Sequence, residues 1–196
     1  GSSCYPTTVV LADVFYCPYD AMVAHPPFIL RSDGTLEGTQ SVTPDRGWAD
    51  YRYLTTMGGF LYYFGREGTL KLYRSDGTLA SEALVVDLGP SGGYQVKIDR
   101  ATVGDSFYFV LYTGLGAELW KSDGTELGTG LVKDIRVGSG SSLPSGFAPI
   151  GSTLYFSADD GVTGRELWRS DGTEAGTVRV RDINPGAGSA LPSSST

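Results

Sequence analysis

The chain has 196 residues, of which 40% are hydrophobic and 19% are charged, and its formal net charge is −7. This length is enough for a domain with a hydrophobic core. The acidic balance and the lack of a Lys/Arg cluster argue against nucleic acid and anionic membranes as partners. No apolar run approaches the roughly 18 residues that span a bilayer. The 28 glycines, without an apolar period of 3.6 residues, predict short strands and turns rather than helices.

A Ser-Asp-Gly-Thr sequence occurs four times, beginning at Ser32, Ser75, Ser122 and Ser170. A fixed period of roughly 20–50 residues is typical of repeat architectures. We therefore interpret 1–196 as one repeat domain, with repeats at about 5–45, 50–90, 94–137 and 143–185. The segment 186–196 resembles the link 138–146, so it is either a tail or the start of a further repeat.

Each repeat is predicted to contain four strands. In chain order the predicted strands are 7–12, 14–17, 28–32 and 39–43; 51–57, 60–65, 70–75 and 83–88; 96–103, 106–112, 118–122 and 130–135; and 146–150, 153–158, 166–170 and 177–183. The second strand of every repeat is a nearly unbroken apolar and aromatic run, rather than an alternating one. This pattern predicts that both faces are covered, as packing between propeller blades requires.

The Ser-Asp-Gly-Thr sequences are predicted to be turns between the third and fourth strands. An Asp in this position accepts a hydrogen bond from the backbone N–H two residues on, and Gly supplies a positive φ. The predicted turn residues are Asp33, Gly34, Asp76, Gly77, Asp123, Gly124, Asp171 and Gly172. The alternative is a ring of four ligand-binding carboxylates, but only the turn explains the neighbouring Gly and Thr.

The fullest copies read ELWKSDGTELGT at 118–129 and ELWRSDGTEAGT at 166–177, and weaker copies read FILRSDGTLEGT at 28–39 and KLYRSDGT at 71–78. This motif and its period resemble the ELWxxDGT repeat family of bacterial secreted and surface proteins. The turns also look like the Asp-box hairpins of sialidase-type propellers. The resemblance implies an all-β, propeller-type array of four four-stranded antiparallel blades, either a small closed ring or a fragment of a larger propeller. It implies no established activity.

A basic residue precedes each turn, and these four are candidate ligand-binding residues: Arg31, Arg74, Lys121 and Arg169. Acidic residues recur late in the fourth strands, at Asp87, Asp134 and Asp182. The two sets either pair with each other within or between blades, or present a charged ring to an acidic or sugar ligand. Trp48 lies in a link outside the repeat pattern and is a fifth candidate for ligand contact, with core or lid packing as its alternative.

The sequence offers little catalytic chemistry. His25 is the single histidine, and the motifs of serine hydrolases, P-loops and dinucleotide sites do not occur. We expect no cofactor; Asp159-Asp160-Gly161 is a weak candidate for calcium because it lacks the spaced oxygen ligands of a dedicated loop. Cys4 and Cys17 either form a disulfide between neighbouring strands or are two buried thiols.

Recurring polar positions favour binding over catalysis, because a catalytic group is usually unique. We therefore predict a non-catalytic binding module of a secreted or cell-surface protein, which contacts protein or glycan through a propeller face. The alternatives are a glycoside hydrolase of the sialidase type, by analogy of the turns, and a structural spacer in an adhesin.

Overall fold

The computed structural model describes residues 3–4, 8–20, 28–44, 51–78, 81–90, 96–186 and 188–189. Within these residues there is no α-helix, and the strands form four antiparallel sheets. This confirms the predicted all-β fold of four-stranded units. The candidate ligand residue Trp48 and the single histidine, His25, lie outside the described residues.

Each sheet is a meander built from one repeat. The first contains β1 (Ser3–Cys4), β2 (Val9–Leu11), β3 (Val14–Asp20), β4 (Phe28–Ser32) and β5 (Gln40–Ser41). The second contains β6 (Arg52–Met57), β7 (Phe60–Glu67), β8 (Thr69–Ser75) and β9 (Ala83–Pro90). The third contains β10 (Val96–Val103), β11 (Ser106–Thr113), β12 (Gly116–Ser122) and β13 (Gly130–Lys133). The fourth contains β14 (Ser145–Ile150), β15 (Thr153–Asp159), β16 (Arg165–Ser170) and β17 (Val178–Arg181).

The first sheet has five strands because two short strands share one edge: β1 and β2 both pair with β3. In the other sheets a single first strand covers that edge, with a register shift in β6, β10 and β14. The last strands β5, β13 and β17 are shorter than predicted, whereas β9 continues past its predicted end to Pro90. The N–H groups of Ile135 and Ile183 donate to the carboxylates of Glu118 and Glu166, so the chain has left the strand ladder by then.

Burial along the second strands differs between sheets. In β7 and β11 five consecutive residues are buried, so both faces are covered as predicted. In β15 burial alternates: Leu154, Phe156 and Ala158 are buried, whereas Tyr155 and Ser157 between them are only partly buried. The prediction of two covered faces is therefore wrong for β15, and also for β3, where Phe15 is 38% exposed. Cover depends on what packs against a strand as well as on its own sequence.

The chain divides into two compact units, 1–92 with 124–126, and 93–123 with 127–196. The core of the first unit includes Tyr16, Ile29, Leu54 and the stacked rings of Tyr63 and Tyr73, whose centroids are 5.7 Å apart. Within the second unit, a single core joins residues of the third and fourth sheets, listed here in chain order: Val103, Tyr108, Leu119, Val132, Ile135, Leu154, Phe156, Ala158 and Trp168.

Two further features concern the state of the cysteines and membrane-spanning helices. Cys17 on β3 is fully buried and disulfide-bonded, so of the two alternatives for the cysteines the structure has the disulfide. No helix in the described part of the chain is long and apolar enough to cross a membrane.

Candidate functional site

The Ser-Asp-Gly-Thr turns are held by their own side chains. In the first turn Asp33 Oδ1 accepts hydrogen bonds from Thr35 N at 2.9 Å and from Thr35 Oγ1 at 2.7 Å. Asp76 and Asp171 accept the corresponding pair of bonds in the second and fourth turns. All four turn glycines have φ between 86° and 93°, a conformation that disfavours any residue with a Cβ.

The turns are wider than two-residue hairpins, because the second Gly-Thr pair belongs to the same hydrogen-bonded loop. In the fourth turn Thr177 Oγ1 bonds to Ser170 Oγ at 2.7 Å and donates to the carbonyl of Thr173 at 2.6 Å. A Cβ on Gly176 would overlap the Asp171 carboxylate. The second repeat lacks this Gly-Thr pair, and there the hydroxyl of Ser81 makes both kinds of bond, to Ser75 Oγ and to the Thr78 carbonyl.

These hydrogen bonds determine the ionisation of the turn carboxylates. Bonds from the Thr35 side chain and backbone lower the pKa of Asp33, and bonds from Thr173 do the same for Asp171. Hydrogen bonds from Ser81 and then Thr78 lower the pKa of Asp76. Each of these carboxylates is therefore an anion at neutral pH, with its charge stabilised inside its own turn.

A tyrosine that the sequence analysis did not single out recurs in all four repeats, and in the first three it contacts the turn of the next repeat. It is the third residue of β3, β7, β11 and β15, at Tyr16, Tyr62, Tyr108 and Tyr155. A Cβ on Gly77 would overlap the Tyr16 hydroxyl, and a Cβ on Gly172 would overlap that of Tyr108. Tyr62 lies in the same way over Gly124, which belongs to the first unit. The signal available in the sequence was the tyrosine at one fixed position in all four copies.

The four basic candidates lie directly opposite these tyrosines. The register pairs Tyr16 with Arg31, Tyr62 with Arg74, Tyr108 with Lys121 and Tyr155 with Arg169. The Arg74 guanidinium lies over the Phe60 ring at 5.4 Å, and Lys121 Nζ is 3.4 Å from the position of a Cβ on Gly172. Arg169 is exposed. Arg74, Lys121 and Arg169 therefore have three different local environments, although they occupy the same position of their repeats.

The recurring acidic residues have other partners than these basic candidates. Asp87 accepts hydrogen bonds from Thr69 Oγ1 and Gly89 N, both at 2.9 Å. Asp134 accepts a bond from Gly138 N, and Asp182 lies 3.9 Å from Arg179. The pairing that the sequence suggested between the two sets is not among the ion pairs of the described residues.

Arg31 lines a cleft of about 280 Å³ in the first unit, between the first and second sheets. Leu11, Ala12 and Val14 form an apolar wall, and the remaining lining residues are Tyr16, Arg31, Gly59, Asp76, Gly77 and Thr78. Arg31 Nε is buried and has no hydrogen-bond partner within the part of the chain that the structure describes. Burial raises the pKa of Tyr16; the positive charge of Arg31 opposes this effect and the negative charge of Asp76 adds to it.

The buried glutamates of the two fullest repeats are used in the scaffold. Glu118 accepts hydrogen bonds from Ile135 N at 3.0 Å, Ser142 N at 2.9 Å and Ser142 Oγ at 2.6 Å, while burial raises its pKa. Glu166 accepts the equivalent bond from Ile183 N, and its Oε1 is buried with no partner among the residues described. Both carboxylates thus accept hydrogen bonds from the segment that follows the last strand of their sheet and hold that segment in place.

The weak calcium candidate is occupied by protein groups. Asp160 Oδ1 accepts hydrogen bonds from Val162 N at 2.9 Å and Thr163 N at 2.8 Å, and Arg179 lies 3.5 Å from its other oxygen. Within the described ranges no group of three or more His, Cys, Asp or Glu side chains is placed to hold a metal ion.

Comparison with solved structures places this arrangement among known folds, whereas no protein-family model and no curated protein matches the chain. A puromycin hydrolase is similar with a TM-score of 0.57 and 15% identity over 91% of this chain and 28% of its own. A prolyl endopeptidase has a TM-score of 0.55 and 15% identity over 88% and 26%. Prolyl oligopeptidase B from Galerina marginata has a TM-score of 0.54 and 13% identity over 86% and 25%.

The chain therefore spans about a quarter of the length of these structures. The matches are to the β-propeller domains of prolyl oligopeptidases. Similarity at such identities shows the fold alone, because one fold serves many unrelated functions. The four antiparallel sheets and these matches together show that the chain has a β-propeller-type fold.

Proposed function

We propose that this chain is a non-catalytic binding module of a secreted or cell-surface protein of the ELWxxDGT repeat family, and that it contacts protein or glycan. The observation that carries the proposal is the cleft beside Tyr16, where the Arg31 guanidinium and the Asp76 carboxylate line the same space as an apolar wall. Ligand sites are typically concave and largely apolar, with a few polar groups that fix orientation.

The groups in the cleft suit a ligand that carries hydroxyl or amide groups. Arg31 supplies only hydrogen-bond donors and ionised Asp76 only acceptors, whereas the Tyr16 hydroxyl supplies both. A sugar hydroxyl or a peptide amide can satisfy both kinds of partner. The volume of about 280 Å³ lies near the lower end for ligand pockets, so the cleft fits one sugar ring or one side chain rather than an extended ligand.

The same cleft favours binding over glycoside hydrolysis. Most glycoside hydrolases place a pair of carboxyl groups on either side of the scissile bond. Asp76 is the one carboxylate among the lining residues, and its pKa is lowered by Ser81 and Thr78. A low pKa suits an anion that accepts hydrogen bonds and is unsuited to a general acid.

The proposed location outside the cell is supported by the disulfide at Cys17. Disulfides persist in oxidising compartments and are rare in the cytosol of most organisms. The turn motif and its period in all four repeats support the proposed family.

A glycan array and a peptide array, read with the unaltered protein and two variants, test the proposal. Arg31→Ala should abolish binding, because it removes the donors from the cleft. Arg74→Ala is the matched control: it changes the same position of the next repeat, outside the cleft, and should bind normally. Binding unaffected by Arg31→Ala would overturn the assignment of the cleft.

A panel of chromogenic glycosides, assayed with the same preparations, distinguishes the alternatives. We expect no turnover. Turnover by the unaltered protein that persists in Arg74→Ala would indicate a glycoside hydrolase instead. Silence on both arrays, without turnover, would favour a structural spacer.

A further inference from the structure

The fourth sheet exposes apolar side chains where the third sheet buries its own. Val103 ends β10 and is 8% exposed, whereas Ile150 ends β14 and is 65% exposed. Val132 of β13 is 5% exposed, whereas Val180, at the same position of β17, is 47% exposed. Ile135 is buried and its counterpart Ile183 is exposed. In the third sheet this face packs on Leu154, Phe156 and Trp168 of the fourth sheet.

The recurring tyrosine shows the same difference in burial between the third and fourth sheets. Tyr108 is buried and lies over Gly172 of the fourth turn. Tyr155 occupies the same position of the fourth repeat but is only partly buried, and the side chain opposite it, Arg169, is exposed. Ile150, Tyr155, Val180 and Ile183 thus form an open face that matches the face by which the third sheet holds the fourth.

The first sheet carries the complementary half of this contact. Phe15 is 38% exposed, although its counterparts in the other sheets, Leu61, Phe107 and Leu154, are all fully buried. Gly77, Gly124 and Gly172 each have a tyrosine hydroxyl against them, whereas no atom of the described residues lies within 4 Å of the Cβ position of Gly34. Phe15 and the turn at Asp33–Gly34 therefore form what we call the receiving face.

We propose that the open face of the fourth sheet binds the receiving face of a second copy of this chain, head to tail. Tyr155 then lies over Gly34 of the other copy, as Tyr108 lies over Gly172, and Ile150 packs near Phe15. Arg169 takes the place of Lys121, whose Nζ is 3.4 Å from the Cβ position of Gly172, and so approaches the Asp33 anion of the other copy. Two different faces make this interface, so it is heterologous and can add further copies.

Sedimentation and light scattering of the whole chain, from about 1 µM to about 200 µM, test the proposal. The unaltered protein should associate as its concentration rises. Ile150→Asp blocks the open face and Phe15→Asp blocks the receiving face, and each should weaken association at least about tenfold. Leu127→Asp replaces a fully exposed leucine that neither face uses, and it should associate like the unaltered protein.

Mixing the two blocked variants decides the geometry. Each retains one intact face, so the mixture should form a one-to-one dimer that neither variant forms alone. Failure of the mixture to dimerise, or a monomeric unaltered protein throughout the concentration range, would overturn the proposal. Circular dichroism verifies that the variants fold; should Ile150→Asp fail, Val180→Asp blocks the same face.

Discussion

The side chain of Asp171 occupies the space that a Cβ on Gly176 would need. Gly176→Ala should therefore displace the carboxylate, break its bonds to Thr173 and lower the free energy of unfolding by about 1–3 kcal/mol, as overpacking usually does. Gly130→Ala is the control, because no described residue has an atom within 4 Å of that Cβ position. Chemical denaturation of both variants measures the difference. Equal stability would show that the turn tolerates a displaced carboxylate.

The lowered pKa of Asp171 makes the stability of its turn depend on pH. Because the pKa of Asp171 in the folded state lies below the ordinary aspartate value of 3.8, the carboxylate stabilises the fold above that pH. This stabilisation is lost as the pH falls through the folded-state pKa. Asp171→Asn should thus melt below the unaltered protein at pH about 7, and the gap should narrow at pH about 2.

Thermal melts across this range provide the measurement, with Asp105→Asn, at an exposed hairpin turn, as the control. Burial raises the pKa of Glu118, so protonation of that group favours the folded state as the pH falls. Comparing each variant with the unaltered protein removes this opposite effect. A gap that stays constant with pH would contradict the role given to the Asp171 anion.

At the scale of the element, truncating the recurring tyrosine should lower the free energy of unfolding by different amounts in the third and fourth repeats. The Tyr108 ring is buried in the core of the second unit, so Tyr108→Ala should cost about 3–5 kcal/mol, as other truncations of large buried rings do. Tyr155 occupies the same position on β15 but is only partly buried, so Tyr155→Ala should cost less than half as much. Urea unfolding at a concentration too low for association measures both. Similar losses would contradict the open face.

That pair of residues also shows what could be predicted from the sequence. Repetition predicted the number of sheets and the strands to within a few residues, because each repeat forms its own hydrogen-bonded meander. Leu154-Tyr-Phe and Phe107-Tyr-Phe look alike as strands, yet only the second is covered on both faces. Likewise, the cleft at Arg31 depends on how Asp76 of another repeat lies beside Tyr16. The sequence pattern of one repeat does not predict how that repeat contacts its neighbours.

At the scale of the whole molecule, the two compact units each have their own hydrophobic core. Compact units of this kind can open separately, with different free energies. The disulfide at Cys17 belongs to the first unit. Its reduction should therefore destabilise the first unit by about 2–4 kcal/mol, a typical contribution of a disulfide, and leave the second unit unchanged.

Hydrogen exchange followed by mass spectrometry, with and without reductant, tests this expectation strand by strand. Protection should fall in β3, β4, β7 and β8, which belong to the first unit, and persist in β15 and β16 of the second. The second unit contains no cysteine, so it serves as the internal control. An equal loss of protection in all four sheets would instead show that the molecule opens as one cooperative body.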